Sequence, residues 1–186
     1  MAISERRLTL AEFLELPEEE PALELIGGQV VQKVSPKGPH GRIQTRLGVL
    51  IDNYAEPRRL GLAFSETRTS FGGASPVPDV VFYRWDRIPR TPVGRIADDF
   101  TTPPDLAIEI ISPSQRLNPL VLRCQWYVDN GVRIALLVDP ERETVMLFRP
   151  GAEPIMVALD ELIDLEAVLP GFRLTPRQLF EALYLR

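Results

Sequence analysis

The stretch Asp105-Leu106-Ala107-Ile108-Glu109-Ile110-Ile111-Ser112 decides how this chain of 186 residues is read. It has the length and apolarity of a strand, and successive side chains of a strand point to opposite faces. Leu106, Ile108 and Ile110 take one face, and Ala107, Glu109 and Ile111 the other. Neither face turns polar residues to water, so the strand is expected to be buried on both sides. Glu109 then needs a partner, because a lone carboxylate in such a place must shift its pKa, meet a cation or hold a metal. The segment Ala74-Ser75-Pro76-Val77-Pro78-Asp79-Val80-Val81-Phe82-Tyr83 repeats the anomaly. Asp79 stands at the mouth of a second apolar run, after a proline that fixes the entry of the chain. If the two strands are neighbours, Asp79 and Glu109 face one point in space.

Composition sets the frame around that pair. The chain is 45% apolar and 25% charged, which suits one folded domain over 1–186 with a sizeable core. Cys124 is the only cysteine and His40 the only histidine, so neither an internal disulfide nor a structural zinc site has enough ligands. That usage suits a reducing cytoplasm. The N-terminal residues lack the apolar core of a signal peptide, and the longest clean apolar run, Ile134 to Val138, is too short to span a bilayer. No membrane role is expected. A formal charge of −5 gives no global attraction to nucleic acid, so a polyanion would have to meet a local patch. Lysine occurs only at Lys33 and Lys37, and arginine fills the other cationic positions.

Taken in order, the chain alternates short elements. Thr9 and Glu12 make a capping-box pattern before a helix over Leu10 to Leu16. Leu23 to Ile26 and Gln29 to Val34 flank Gly27-Gly28 and read as an N-terminal hairpin, with Glu24 interrupting its first strand. Ile43, Leu47, Leu50, Ile51 and Tyr54 recur at helical spacing from about Gly41 to Ala55. Leu60 to Ser65 and Thr67 to Phe71 read as strands leading into the Asp79 run. From Arg84 to Pro104 periodicity is lost, and Arg84, Arg87, Arg90 and Arg95 gather around Trp85 in a long surface loop. Asn118 and Pro119 read as the start of a helix whose inner stripe is Leu120, Val121, Cys124 and Val128, with Gly131 as its stop. Strands over Arg133 to Val138 and Thr144 to Phe148 follow, then an edge strand over Ile155 to Leu159 and a last helix opened by Thr175-Pro176. The class is α/β, a mixed sheet with helices packed on it.

On the residues alone, blander roles compete at every position. Asp79 also fits a turn after proline, Glu24 a solvated hairpin residue, His40 a structural histidine, and Glu109 a core ion pair with Arg123. Arg84, Arg87, Arg90 and Arg95 fit an ordinary solvated loop as well as a track for DNA.

Several short strings then fall into a known order: Glu24-Leu25-Ile26-Gly27-Gly28, His40, Pro78-Asp79-Val80, Glu109-Ile110-Ile111-Ser112-Pro113-Ser114, Tyr127, Gly131-Val132 and Leu169-Pro170-Gly171-Phe172. Together they resemble the PD-(D/E)XK nuclease superfamily. Within it the match is to the restriction endonuclease family long catalogued as a domain of unknown function and common in cyanobacteria and other bacteria. The resemblance implies a restriction-endonuclease-like mixed sheet flanked by helices, and metal-dependent cleavage of DNA phosphodiesters. Asp79, Glu109 and the carbonyl of Ile110 would hold Mg²⁺ or Mn²⁺, with Glu24 and His40 as possible supports and a homodimer or higher homo-oligomer as the working unit. The motif's lysine position is Ile111 here. The family often moves that lysine to the following helix, where this chain has Arg123, and the acidic residue four positions before it is Pro119. Arg123 suffices if charge alone is wanted, whereas activity falls if an amine is needed; the cation could otherwise come only from Lys33 or Lys37. A catalytically degenerate protein that keeps the fold for nucleic-acid binding or structure is the alternative.

Overall fold

The computed structural model describes residues 7–113 and 115–185, so the expectations for the first six residues and for Ser114 fall outside it. Its centre is β5 (Leu106–Ile110), in which every residue is buried. The sheet runs β3 (Gly61–Ser65), β4 (Val80–Arg84), β5, β6 (Ile134–Asp139), β7 (Thr144–Phe148), β8 (Ile155–Val157). Neighbours are antiparallel except β5 and β6, which pair in parallel from Leu106↔Ile134 to Ile110↔Val138. Parallel neighbours need a crossover, and α3 (Leu117–Asp129) supplies it.

The alternation of β5 divides the core in two. Leu106, Ile108 and Ile110 pack with Ile43, Leu47 and Ile51 of α2 (Gly38–Ala55) and with C-terminal residues that include Leu179 and Phe180 of α4 (Pro176–Phe180). Ala107 and Ile111 pack with Leu120, Cys124, Tyr127 and Val128 of α3. Each large apolar side chain so buried contributes about 2 kcal/mol, which lets the strand carry one costly carboxylate among them. Glu109 is on the α3 face.

An N-terminal hairpin of β1 (Leu23–Ile26) and β2 (Gln29–Gln32) stands apart from the large sheet. Gly27 and Gly28, at φ 58° and 79°, turn it in the left-handed region that its two-residue loop requires. A bridge between Leu25 and Ser75 joins its backbone to the chain before β4. The helix α1 (Leu10–Leu14) precedes it, closed by the reciprocal Thr9 and Glu12 cap.

Three local expectations are corrected. Thr67 to Phe71 is no strand and makes only isolated bridges, because Gly72 and Gly73, at φ 57° and 76°, fold Phe71 back onto Ala74 before a partner can run alongside. The helix α3 begins at Leu117 with Arg116 as its cap, and Pro119 sits inside its first turn, where a missing N–H leaves no bond unmade. The helix α2 begins at Gly38, three residues early, with Pro39 in its first turn.

Asp105 ends the opposite edge of the β4–β5 pair and is wholly buried. It accepts from the Arg84 amide (2.9 Å) and the Arg87 guanidinium (2.7 Å), with Arg133 at 3.4 Å. Arg59 and Arg90 lie 5.1 and 5.4 Å from the Trp85 ring. The arginine-rich loop is thus fastened to its own end of the sheet, about 16 Å along β4 from Asp79. Replacing Asp105 with Ala should cost about 3 kcal/mol in urea unfolding, since a buried acceptor of charged and backbone donors is lost; a change near zero would mean that water replaces it freely.

Candidate active site

The register Val80↔Ile108, carried one step further, sets Asp79 opposite Glu109, and both line one cavity of about 220 Å³. Asp79 lies at a bend just before β4 and turns inward to bond the next strand. Its Oδ2 accepts the amide N–H of Ile110 (2.6 Å), and its Oδ1 accepts the Lys33 ammonium (2.8 Å). Glu109 Oε1 accepts the Tyr127 hydroxyl of α3 (2.6 Å), and Arg123 stands 3.5 Å away.

The hairpin brings two further charges to the same cavity. Val77 is flanked by prolines, and its amide is satisfied by hairpin side chains: Glu24 Oε1 accepts its N–H (2.8 Å), and Lys33 Nζ donates to its carbonyl. Glu24 is also gripped by both arms of Arg123, at 3.1 and 3.0 Å. Lys33 reaches Glu66 Oε2 at 3.0 Å, and Gln44 of α2 binds both Glu66 and the Asp79 carbonyl. His40 lies in the first turn of α2, with Nδ1 3.0 Å from the Ser112 hydroxyl. That contact turns Nε2 toward Asp79 Oδ1 at 3.2 Å, where it is buried and makes no hydrogen bond. His40, Glu66 and Asp79 offer ligand atoms that all lie within 4.8 Å of one another.

Electrostatics follow from that crowding. Burial raises Asp79, but His40 and Lys33 more than offset it, and its pKa falls below the usual carboxylate value. Burial opposes the charge on Lys33, yet Asp79, Glu109 and Glu66 outweigh it and hold the ammonium above its ordinary range. Burial pushes Glu109 up, Arg123 opposes this, and Asp79 adds to it, leaving the carboxyl at about 7. The Tyr127 phenol is held well above its usual value by burial and by Glu109, so it remains a donor. Glu24, Glu66, Asp79 and Glu109 face Lys33 and Arg123 across the same site, an excess of negative charge with an unbonded imidazole beside it. Hard carboxylate oxygens short of positive charge fit a divalent cation, and an imidazole donor favours Mn²⁺ over Mg²⁺.

The structure brings together Asp79, Glu109, Arg123, Glu24 and His40, and sets the Ile110 amide against Asp79. It keeps Arg84, Arg87, Arg90 and Arg95 at the far end. Glu66 and Gln44 join the site without having been singled out for it, Lys33 enters it as the alternative source of the cation, and Tyr127 had been quoted only for the resemblance. For Tyr127 a signal existed, since a tyrosine on an inner helix face needs a partner for its hydroxyl.

Comparisons with known proteins bear on the family and the fold. Residues 10–177 match the family model Uma2, described as "Putative restriction endonuclease". A solved structure from Anabaena variabilis ATCC 29413, described as a putative nuclease belonging to DUF820, superposes with a TM-score of 0.91 at 37% identity, covering 95% of this chain and 99% of that one. No curated protein matches. Among the described residues no helix is long and apolar enough to cross a membrane.

The raised pKa of Glu109 has a sign that can be measured. Between the ordinary 4.5 and about 7 the folded chain binds a proton there that the unfolded chain has lost, so stability falls as pH rises through this window. Melting in EDTA should show that decline in the wild type and a flatter profile in Glu109→Gln, with the variant the more stable above the window and the two converging below it. Parallel profiles would assign the slope to another group.

Proposed function

The chain belongs to the Uma2 family, and from that premise we propose that it is a metal-dependent endonuclease that hydrolyses DNA phosphodiesters. The observation that carries this reading is the surplus of carboxylates around one cavity with His40 Nε2 left unbonded beside Asp79. Asp79, Glu109 and the Ile110 carbonyl would hold Mg²⁺ or Mn²⁺, with His40 and Glu66 in reach of the Asp79 side. The metal, when bound, would supply an acidified water for in-line attack and neutralise charge on the phosphate.

This chain's residues do the positioning. The Ile110 amide fixes one Asp79 oxygen and leaves the other turned into the cavity. Tyr127 holds one Glu109 oxygen, and Arg123 ties Glu109 to Glu24, so that hairpin, sheet and α3 keep one geometry. The exposed Lys37 and Arg116, beside the starts of α2 and α3, flank the cavity side of the sheet and suit the DNA backbone. Arg84, Arg87, Arg90 and Arg95 would meet only a duplex that wraps to the far end. A homodimer would present one such site to each strand.

One observation favours a non-catalytic binding role instead: Arg123 already answers Glu24 with both arms, as a purely structural core would. The two readings part on metal. An open site gains melting temperature on adding Mn²⁺ by mass action, whereas a closed ion-pair core gains none. Plasmid nicking by purified protein should need metal, run faster in Mn²⁺ than in Mg²⁺, stop in EDTA, and fall at least about 100-fold in Asp79→Ala and Glu109→Ala. Neither nicking nor a Mn²⁺ shift in melting would leave the binding role as the better account.

A further inference from the structure

Lys33 is one of the chain's two lysines and the one that enters the cavity. An ammonium has three donors, and here all are taken: by Asp79 Oδ1 at 2.8 Å, by the Val77 carbonyl, and by Glu66 Oε2 at 3.0 Å. The three acceptors are not equivalent. Asp79 has a side chain only 3% exposed, and Val77 is backbone, whereas the Glu66 side chain is 40% exposed. Glu66 is therefore the acceptor that an incoming group can displace. Its backbone is held at φ 51°, in the left-handed region that a glutamate seldom adopts, and that conformation is fixed by its amide bond to the Asp79 carbonyl (3.2 Å) and by Gln44 on its carboxylate (2.7 Å).

The positions at which the superfamily motif keeps its lysine are closed. Ile111 is buried in apolar contact on the α3 face, and Arg123 has both arms on Glu24. A guanidinium so engaged is committed to carboxylates through both terminal nitrogens, and it cannot offer an amine. We propose that Lys33, delivered by the hairpin, is the residue that grips the scissile phosphate, and that Glu66 accepts its third N–H until a phosphate oxygen replaces it as the acceptor. On this view Arg123 is a positioning residue for Glu24 and Glu109. The proposal rests on the nuclease reading and adds the source of its cation.

The test uses the full chain as wild type, Lys33→Met, Lys33→Arg, Glu66→Gln and Asp79→Ala, each first checked for a cooperative melt. Three readouts are taken: plasmid nicking in Mn²⁺, affinity for a short fluorescent duplex in Ca²⁺, and the melting shift on adding Mn²⁺. Lys33→Met should lose at least about 100-fold in nicking and about tenfold in duplex affinity, while the Mn²⁺ shift is kept or grows because a nearby positive charge has gone. Lys33→Arg should recover duplex affinity without recovering nicking. Glu66→Gln should bind duplex several-fold more tightly, because the competing carboxylate is neutral. Nicking by Lys33→Met within threefold of wild type, with Asp79→Ala inactive, would overturn the proposal and leave the nuclease reading intact. Loss of the Mn²⁺ shift in Glu66→Gln would make Glu66 a metal ligand and overturn its place-holding role. Should Lys33→Met fail to fold, wild-type nicking by Lys33→Arg together with unchanged duplex binding by Glu66→Gln would sink the idea by itself. A wild type that neither cuts nor binds duplex would remove both readings together.

Discussion

Negative charge buried at the ends of β4 and β5 is the constraint on which the rest of the structure depends. A strand as apolar as β5 has no use for Glu109 in its fold, and opposite it stands Asp79, also buried. Unanswered, that pair would cost more than any two apolar residues of the strand return. The chain answers from three directions: α3 sends Tyr127 and Arg123, the hairpin sends Lys33, and α2 sends His40. Glu24 and Glu66 then engage the cations, and the region stays short of positive charge.

The docking of the hairpin shows how specific this arrangement is. It joins no strand of the large sheet, and its backbone touches the main body at the Leu25 and Ser75 bridge. Side chains complete the attachment to this edge: Arg68 donates to the Leu23 carbonyl (3.0 Å), and Glu24 and Lys33 hold Val77, a residue whose neighbours are both prolines. Prolines have no N–H to offer a ladder, so this short segment passes beside the hairpin as a rail of defined polarity instead of a paired strand. One carboxylate and one ammonium read that rail, and both also line the cavity.

Much of this was legible in the sequence because charge within an apolar period is a local signal. Glu109 and Asp79 declare themselves against their neighbours, and the paired glycines of the hairpin, the Thr9 and Thr175 caps and the stripe of α2 are equally local. Thr67 to Phe71 misled because its composition suits a strand while the turn at Gly72 and Gly73 denies it a partner. Asn118 misled because it fits a cap, although the helix starts a residue before it. The sequence offered Lys33 beside Lys37 as an alternative to Arg123 for the cation, but not its place beside Asp79. Lys33 and Asp79 are 46 residues apart, on elements with no regular pairing, and only the hairpin's docking brings them together. Arg123 is where the resemblance directs attention, and its chief partner is Glu24, 99 residues away.

Those separations bear on the order in which the cavity can form. The cavity draws its walls from residue 24 to residue 123, and Tyr127 lies further along still. Synthesis proceeds from the N-terminus, so the hairpin and the Asp79 edge leave the ribosome well before α3 exists to meet them. Until that helix docks, Glu24 and Glu109 have no shared clamp and the acidic pocket has no fixed shape. A half-made or clipped chain therefore carries the carboxylates of the cavity without the helix that clamps them.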